Sequence, residues 1–238
     1  MNVALIFAGG TGIRMNTRAK PKQFLELYGK PIIVHTIEHF EDHEEIDAIV
    51  VVCLEGWIPK FKALVQQYDM KKVQLVVPGG SGGHLSIYYG LEAMQSVCGP
   101  DDIVLIHDGV RPLITGDLIS RNIAMVKAKG TAITVEPMRE TVIESIDGDL
   151  INSVPNRDFM YAAKAPQSFR YGMILDLYRR AHKEGVATFD SAHLLSVYKV
   201  ETHTVESPPN NIKITTPTDF YILRALYEAI ENKQVFGL

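Results

Sequence analysis

Short, continuous apolar runs recur along the chain, and between them apolar residues return every three or four positions. Residues 3–7, 48–53, 73–77, 103–107 and 132–135 read as buried strands, because their apolar character is unbroken rather than alternating. Residues 31–40, 59–68, 85–97 and 115–129 read as helices; Ile33, Ile37 and Phe40 share one face of the first, and Pro31 suits its first turn. Strand–helix alternation of this kind predicts an α/β fold, a doubly wound, mostly parallel sheet with helices on both faces, formed as a single domain over residues 1–238. In such sheets ligands gather beyond the carboxyl ends of the strands. That rule brings together the loops after Phe7, Val77 and Ile106.

Residues 139–155 break the alternation. Thr141–Ile146, Asp147-Gly148 and Asp149–Val154 read as two half-apolar strands joined by a tight Asp-Gly turn. The expectation is a projecting β-hairpin arm, buried either in a second subunit or on its own domain. Further on, Thr216 is placed to cap a C-terminal helix, with Pro217 at its first position and Asp219 at its positive end.

Composition narrows the field. The 238 residues carry a formal net charge of −4, which disfavours a general nucleic-acid-coating role. The two cysteines, Cys53 and Cys98, belong to no metal-spaced cluster and read as reduced core or near-core thiols. No apolar run is long enough to cross a bilayer and no leader precedes the first strand, so a cytoplasmic location without membrane partners is expected.

Positive charge is concentrated where the first strand ends. Ala8-Gly9-Gly10-Thr11-Gly12 leaves backbone N–H groups open to an anion, and Arg14, Lys20 and Lys22 surround the same place with cations. A P-loop would need Gly-Lys-Ser/Thr, which is absent, and a dinucleotide fingerprint would need a third glycine where Ile13, Arg14 and Met15 follow Gly12. Asp108, ending the 103–107 strand beside Arg111-Pro112, is a candidate Mg²⁺ ligand, since magnesium takes one or two carboxylates alongside phosphate oxygens. His107 reads as structural. Gly79–Ser86 would let a flat base lie against backbone, with Ser86 in hydrogen-bonding reach, although the same string suits an ordinary surface loop. Lys213, between Ile212 and Ile214 in a short strand, faces away from both and is either a solvated residue or a further cation for the phosphates.

Taken together, Ala8-Gly-Gly-Thr-Gly12, Arg14-Met15, Pro21-Lys-Gln-Phe24, His107-Asp108, Arg111-Pro112, Pro166-Gln-Ser-Phe169 and Asn211–Pro217 resemble the cytidylyltransferase family that contains 2-C-methyl-D-erythritol 4-phosphate and ribitol-5-phosphate cytidylyltransferases. The resemblance runs in order over nearly the whole chain. It implies CTP and a polyol phosphate as substrates, Mg²⁺ as cofactor, a Rossmann-like nucleotidyltransferase fold and a homodimer joined through the 139–155 arm. It assigns Arg14, Lys22 and Lys213 to catalysis, and Ala8, Gly9, Gly10, Thr11, Gly12, Gly80, Ser81 and Ser86 to the nucleotide. Asp108 would hold the metal and, with Arg111, Thr141 and Arg157, the acceptor, Arg157 reaching the site of the partner subunit.

The ribitol branch is the more similar one, through Gly9-Gly10, Thr141–Ser145, Val154–Arg157 and Met160-Tyr161. This points to D-ribitol 5-phosphate, with 2-C-methyl-D-erythritol 4-phosphate or a non-catalytic nucleotide-binding protein as alternatives. A CDP-polyol product would serve wall teichoic acid or capsular polymer synthesis. Three places depart from the family pattern: Gly82-Gly83-His84 where an arginine is usual, Ala165 in place of threonine before Pro166-Gln167, and Thr188–Ala192.

Overall fold

The computed structural model describes residues 1–10 and 20–236, with side chains to residue 232. Strand β1 (Asn2–Ala8) is followed by a short 3-10 turn over Lys22–Phe24, a two-residue strand pair, β2 (Glu26–Leu27) and β3 (Lys30–Pro31), and helix α1 (Ile32–Glu41). Then come β4 (Ala48–Cys53), α2 (Ile58–Gln67), β5 (Val73–Pro78), α3 (Gly83–Ala93), β6 (Ile103–Asp108), α4 (Gly116–Lys129) and β7 (Thr131–Pro137). The C-terminal part adds β8 (Tyr161–Arg170), α5 (Tyr171–Glu184), α6 (Ser191–Val197), β9 (Thr204–Glu206) and α7 (Pro217–Phe236).

The five expected strands and four expected helices are all present, with ends shifted by a few residues. Pro31 precedes α1 rather than opening it, and α3 stops at Ala93, where a 3-10 turn over Met94–Ser96 takes over. Thr115 caps α4 by accepting a hydrogen bond from Leu118 N, and Gly130, at φ +83°, turns the chain out of it. α7 begins as expected, with Asp219 accepting from Thr215 N and Thr216 N at 2.7 Å each.

Seven strands form one sheet in the order β5-β4-β1-β6-β8-β7-β9. β1 runs parallel to β4 and β6, and β8 runs antiparallel to both β6 and β7. Each face of the sheet carries its own core. Ile6, Ile49, Val51 and Leu105 pack under Ile37, Phe40, Phe61 and Ile119. Leu5, Val50, Val52 and Val104 pack under Ile87, Leu91, Ile174 and Tyr178. Burial on both faces is why β1, β4 and β6 read as continuous apolar runs.

The 139–155 segment departs from the regular hairpin expected. The chain doubles back, but pairing is confined to a bridge between Glu144 and Ser153. The Asp147-Gly148 turn forms locally, with Gly148 at φ +82° and Asp147 Oδ1 accepting from Asp149 N and Leu150 N. Those side-chain bonds compete with a strand ladder. Ile143, Ile146, Leu150, Ile151 and Val154 stay exposed, so no apolar face pins the register. Lys213 and the flanking Ile212 and Ile214, read as a short strand, belong to no strand of the sheet; Ile214 N bonds Val110 O at 2.9 Å.

Candidate active site

The strand order turns at β1 and β6: connections from β1 run outward to β4 and β5, and the next strand returns to β1's other edge. Such a switch point leaves a crevice at the carboxyl ends. There Phe7 is paired with Asp108. Two cavities open at this point and share Phe7, Gly83, Asp108 and Lys213. The smaller, about 170 Å³, is walled by Ala8, Gly9, Gly10, Lys22, Gln23 and Ser86. The larger, about 310 Å³, extends past Arg111, Ala165, Gln167, Phe189, Asp190 and Ser191.

Asp108 sits between the two lobes and is buried. Its Oδ2 accepts from Arg111 Nε at 3.1 Å, and its Oδ1 pairs with Lys213 Nζ at 2.5 Å. Burial alone would push the carboxyl up. The Lys213 ammonium and the Arg111 guanidinium outweigh it and hold the group well below the usual carboxylate range. Arg111 is fixed further by a bond from Nη1 to Asn211 O at 2.9 Å. Lys213 belongs to the site rather than to a solvated face. It lines both lobes, while the adjacent Ile214 is buried in an apolar cluster with Leu27, Ile32 and Val110. His107 is structural, as expected: Nε2 bonds Arg111 O at 3.1 Å, and burial pushes the imidazole down to about 3, leaving it neutral.

In the smaller lobe the backbone itself forms the wall. Gly9 lies so close to Gly79 and Ser86 that a Cβ on it would come within 2.7 Å of Ser86 Oγ and 3.3 Å of Gly79 Cα. Ser86 Oγ accepts from Gly80 N at 3.1 Å, and its own proton can be donated to a ligand. Buried Gln23 donates to Ala8 O at 2.6 Å, and Lys22 Nζ donates to Ile214 O at 2.9 Å. The Pro-Lys-Gln segment thereby ties the start of the glycine loop to the segment carrying Lys213.

Thr11, Gly12 and Arg14 lie outside the described residues. Lys20 pairs with Glu26 at 2.5 Å and lines neither lobe. Gly80 and Ser81 flank the smaller lobe without walling it; Gly83 and Ser86 do so instead. Thr141 and Arg157 are exposed and line neither lobe of their own chain, Arg157 Nη1 bonding Arg139 O at 3.0 Å. Two unexpected side chains also line the larger lobe: Lys164, paired with Glu136 at 2.7 Å, and Asp190. Gln167 Nε2 donates to Asp190 Oδ2 at 2.9 Å, and Asp190 Oδ1 caps α6 through His193 N. The pattern Asp190-Ser191 before the apolar Leu194-Leu195 is a helix-start signal that marks this position.

Among the described residues no group of three or more His, Cys, Asp or Glu side chains is arranged to hold a metal ion. A protein-built cage is therefore not what these residues offer. One carboxylate lining the place where the lobes meet fits magnesium that takes its other ligands from phosphates and water. Cys53 and Cys98 are pushed up to about 11 and about 12 by burial, which suits inert thiols. Among the described residues no helix is long and apolar enough to cross a membrane.

Comparison with known proteins agrees with this geometry. The family model for 2-C-methyl-D-erythritol 4-phosphate cytidylyltransferase matches residues 2–229. A ribitol-5-phosphate cytidylyltransferase of Streptococcus agalactiae is 49% identical over 239 residues, covering 100% of both chains. A 2-C-methyl-D-erythritol 4-phosphate cytidylyltransferase of Clostridium botulinum is 35% identical over 229 residues, covering 96% of this chain and 98% of its own. The crystal structure of the 4-diphosphocytidyl-2C-methyl-D-erythritol synthase of Anaerococcus prevotii superposes with a TM-score of 0.83 at 26% identity, covering 95% of this chain and 96% of that one.

Proposed function

The chain belongs to the 2-C-methyl-D-erythritol 4-phosphate cytidylyltransferase family, and we propose from that membership that it transfers CMP from CTP to D-ribitol 5-phosphate, releasing pyrophosphate and CDP-ribitol. The observation that carries the reading is the meeting of two lobes at Asp108 and Lys213. The smaller lobe, with its bare glycine backbone, suits the nucleotide, and the larger one, lined by Arg111, Gln167 and Asp190, suits a phosphorylated polyol. The full-length likeness to a relative named for ribitol 5-phosphate, against the weaker likeness to one named for the methylerythritol phosphate, favours the first acceptor.

An acceptor phosphate oxygen attacks the α-phosphorus of CTP in line as the bond to the pyrophosphate oxygen breaks. The nucleophile is already ionised at neutral pH, so no general base is required. The difficulty is electrostatic: two anions must be brought together and the charge gathering on the α-phosphoryl and leaving group must be neutralised. Lys22 and Lys213, which both line the smaller lobe, supply that charge, with Arg14 as a further cation. Arg111 serves the acceptor phosphate while orienting Asp108. Ser86 and the 79–83 backbone bind the base. Asp108 would hold Mg²⁺, whose charge would neutralise phosphate oxygens.

Homodimerisation through the exposed apolar residues of 139–155, with Thr141 and Arg157 reaching the neighbouring site, completes the proposal. So does a role for the CDP-polyol in wall or capsular polymer synthesis. The direct test is pyrophosphate release from CTP and Mg²⁺ across a panel of polyol phosphates. Release dependent on D-ribitol 5-phosphate is expected, and no release with any acceptor refutes catalysis.

A further inference from the structure

We propose that His84 and Thr188 form a clasp that sets the acceptor lobe against the nucleotide loop, making both of them positioning residues for the transfer. The proposal rests on the reading of the larger cavity as the acceptor lobe.

His84 stands in the first turn of α3, directly after Gly83, which lines both lobes. Thr188 directly precedes Phe189, Asp190 and Ser191, which line the larger lobe. His84 Nδ1 and Thr188 Oγ1 are 2.6 Å apart, a half-buried hydrogen bond between segments 104 residues apart in sequence. The ring is fixed from its other side. It stacks on Tyr178 with centroids 5.0 Å apart and planes at 26°, and the Tyr178 hydroxyl bonds Ser191 Oγ at 3.0 Å. Two links, His84 to Thr188 and Tyr178 to Ser191, therefore reach either end of the Thr188–Ser191 segment from one stacked pair.

Phe189 is 90% exposed, its ring stacked on His193, so hydrogen bonds rather than burial place this segment: Gln167 and His193 hold Asp190, and His84 holds Thr188 on the side facing the nucleotide loop. Burial pushes the His84 imidazole down, and His182 on α5 adds to the shift, so the ring is neutral near pH 7 and offers one donor and one acceptor nitrogen. Neither His84 nor Thr188 lines a lobe, so their effect passes through Gly83 and Asp190.

The test is steady-state kinetics of His84→Ala, Thr188→Val, the double variant and Thr188→Ser, varying each substrate in turn. Each single loss is expected to raise the KM for D-ribitol 5-phosphate about tenfold while the KM for CTP moves by less than about twofold. The double variant should be no worse than the worse single one, since both remove the same bond. Thr188→Ser, which keeps the hydroxyl, should behave as wild type. A second measurement needs no substrate: NMR titration of the His84 ring should show its pKa displaced in Thr188→Val and unmoved in Thr188→Ser. Additive losses, lowered Tm with an unchanged acceptor KM, or a His84 titration indifferent to Thr188→Val would each overturn the clasp. Wild-type protein without acceptor turnover would refute the substrate reading instead, and the NMR titration would still judge the clasp.

Discussion

Asp108→Asn measures what the buried Asp108 cluster contributes to stability. The carboxylate and the Arg111 guanidinium are 3.1 Å apart with side-chain exposures of 6% and 7%. Removing one partner of a buried pair strands the other charge, which costs about 3–5 kcal/mol. Asparagine keeps the shape and one acceptor oxygen, and Arg111 retains its bond to Asn211 O, so a loss near ~3 kcal/mol is expected, a factor of ~10² in the folding equilibrium. Lys213 adds little, because it is 39% exposed and water screens it once released.

Urea unfolding at pH 7 measures the loss as a lower midpoint with an unchanged slope. Arg224→Gln is the control. It breaks a pair with Glu228 that is more than half exposed on both sides and should cost only roughly 0–1 kcal/mol. The sign with pH follows from the lowered Asp108 pKa. The stabilisation is complete above the ordinary value of 3.8 and is lost as pH falls through the lower folded value. The gap between wild type and Asp108→Asn should therefore be constant from neutral pH to about 5 and narrow below about 4. A loss under ~1 kcal/mol, or a gap that widens in acid, would refute the buried-counterion account.

Lys22→Ala should lower kcat by ~10²–10³ with a smaller change in CTP affinity, read by steady-state kinetics, because on the proposed mechanism it removes a cation that follows developing phosphate charge. Gly9→Ala should weaken CTP binding by calorimetry and cost ~1–3 kcal/mol in urea unfolding, because the new methyl meets Ser86 Oγ at 2.7 Å. Mixing Arg157→Ala with Lys22→Ala subunits should restore part of the activity if Arg157 serves the neighbouring site, and light scattering should report a dimer. Absence of complementation after proven subunit exchange would count against that arrangement.

The parallel half of the sheet was legible because strands buried on both faces must be apolar throughout, as in Ala48–Cys53, whose six residues are all buried. β8 was not legible. Pro166 argues against a central strand, and Gln167 and Ser168 are polar yet buried. They are satisfied by groups far away in sequence: Ser168 donates to Asn122 Oδ1 at 3.0 Å, and Gln167 Nε2 donates to Asp190 Oδ2 at 2.9 Å. The same gap hid part of the site. Asp108, Arg111, Lys22 and Lys213 announced themselves through motif and charge. Lys164 and Asp190 reach the larger lobe only once β8 and α6 are placed. At 139–155 the chain bends at Asp147-Gly148, but the Glu144–Ser153 bridge is out of register with the expected two-residue turn; a turn fixes register only where a buried face supports it, and here the flanking apolar residues are exposed.

The central claim is tested most directly by kcat/KM for D-ribitol 5-phosphate against 2-C-methyl-D-erythritol 4-phosphate, with CTP and Mg²⁺ saturating. If, as proposed, Gln167, Asp190 and Arg111 hold the acceptor's hydroxyls, the site can reject an acceptor with mismatched hydroxyls by up to ~10⁴, whereas a methyl branch alone gives only ~10–200-fold. The account predicts D-ribitol 5-phosphate ahead by at least ~10²; equal use of both acceptors, or preference for the methylerythritol phosphate, would contradict it.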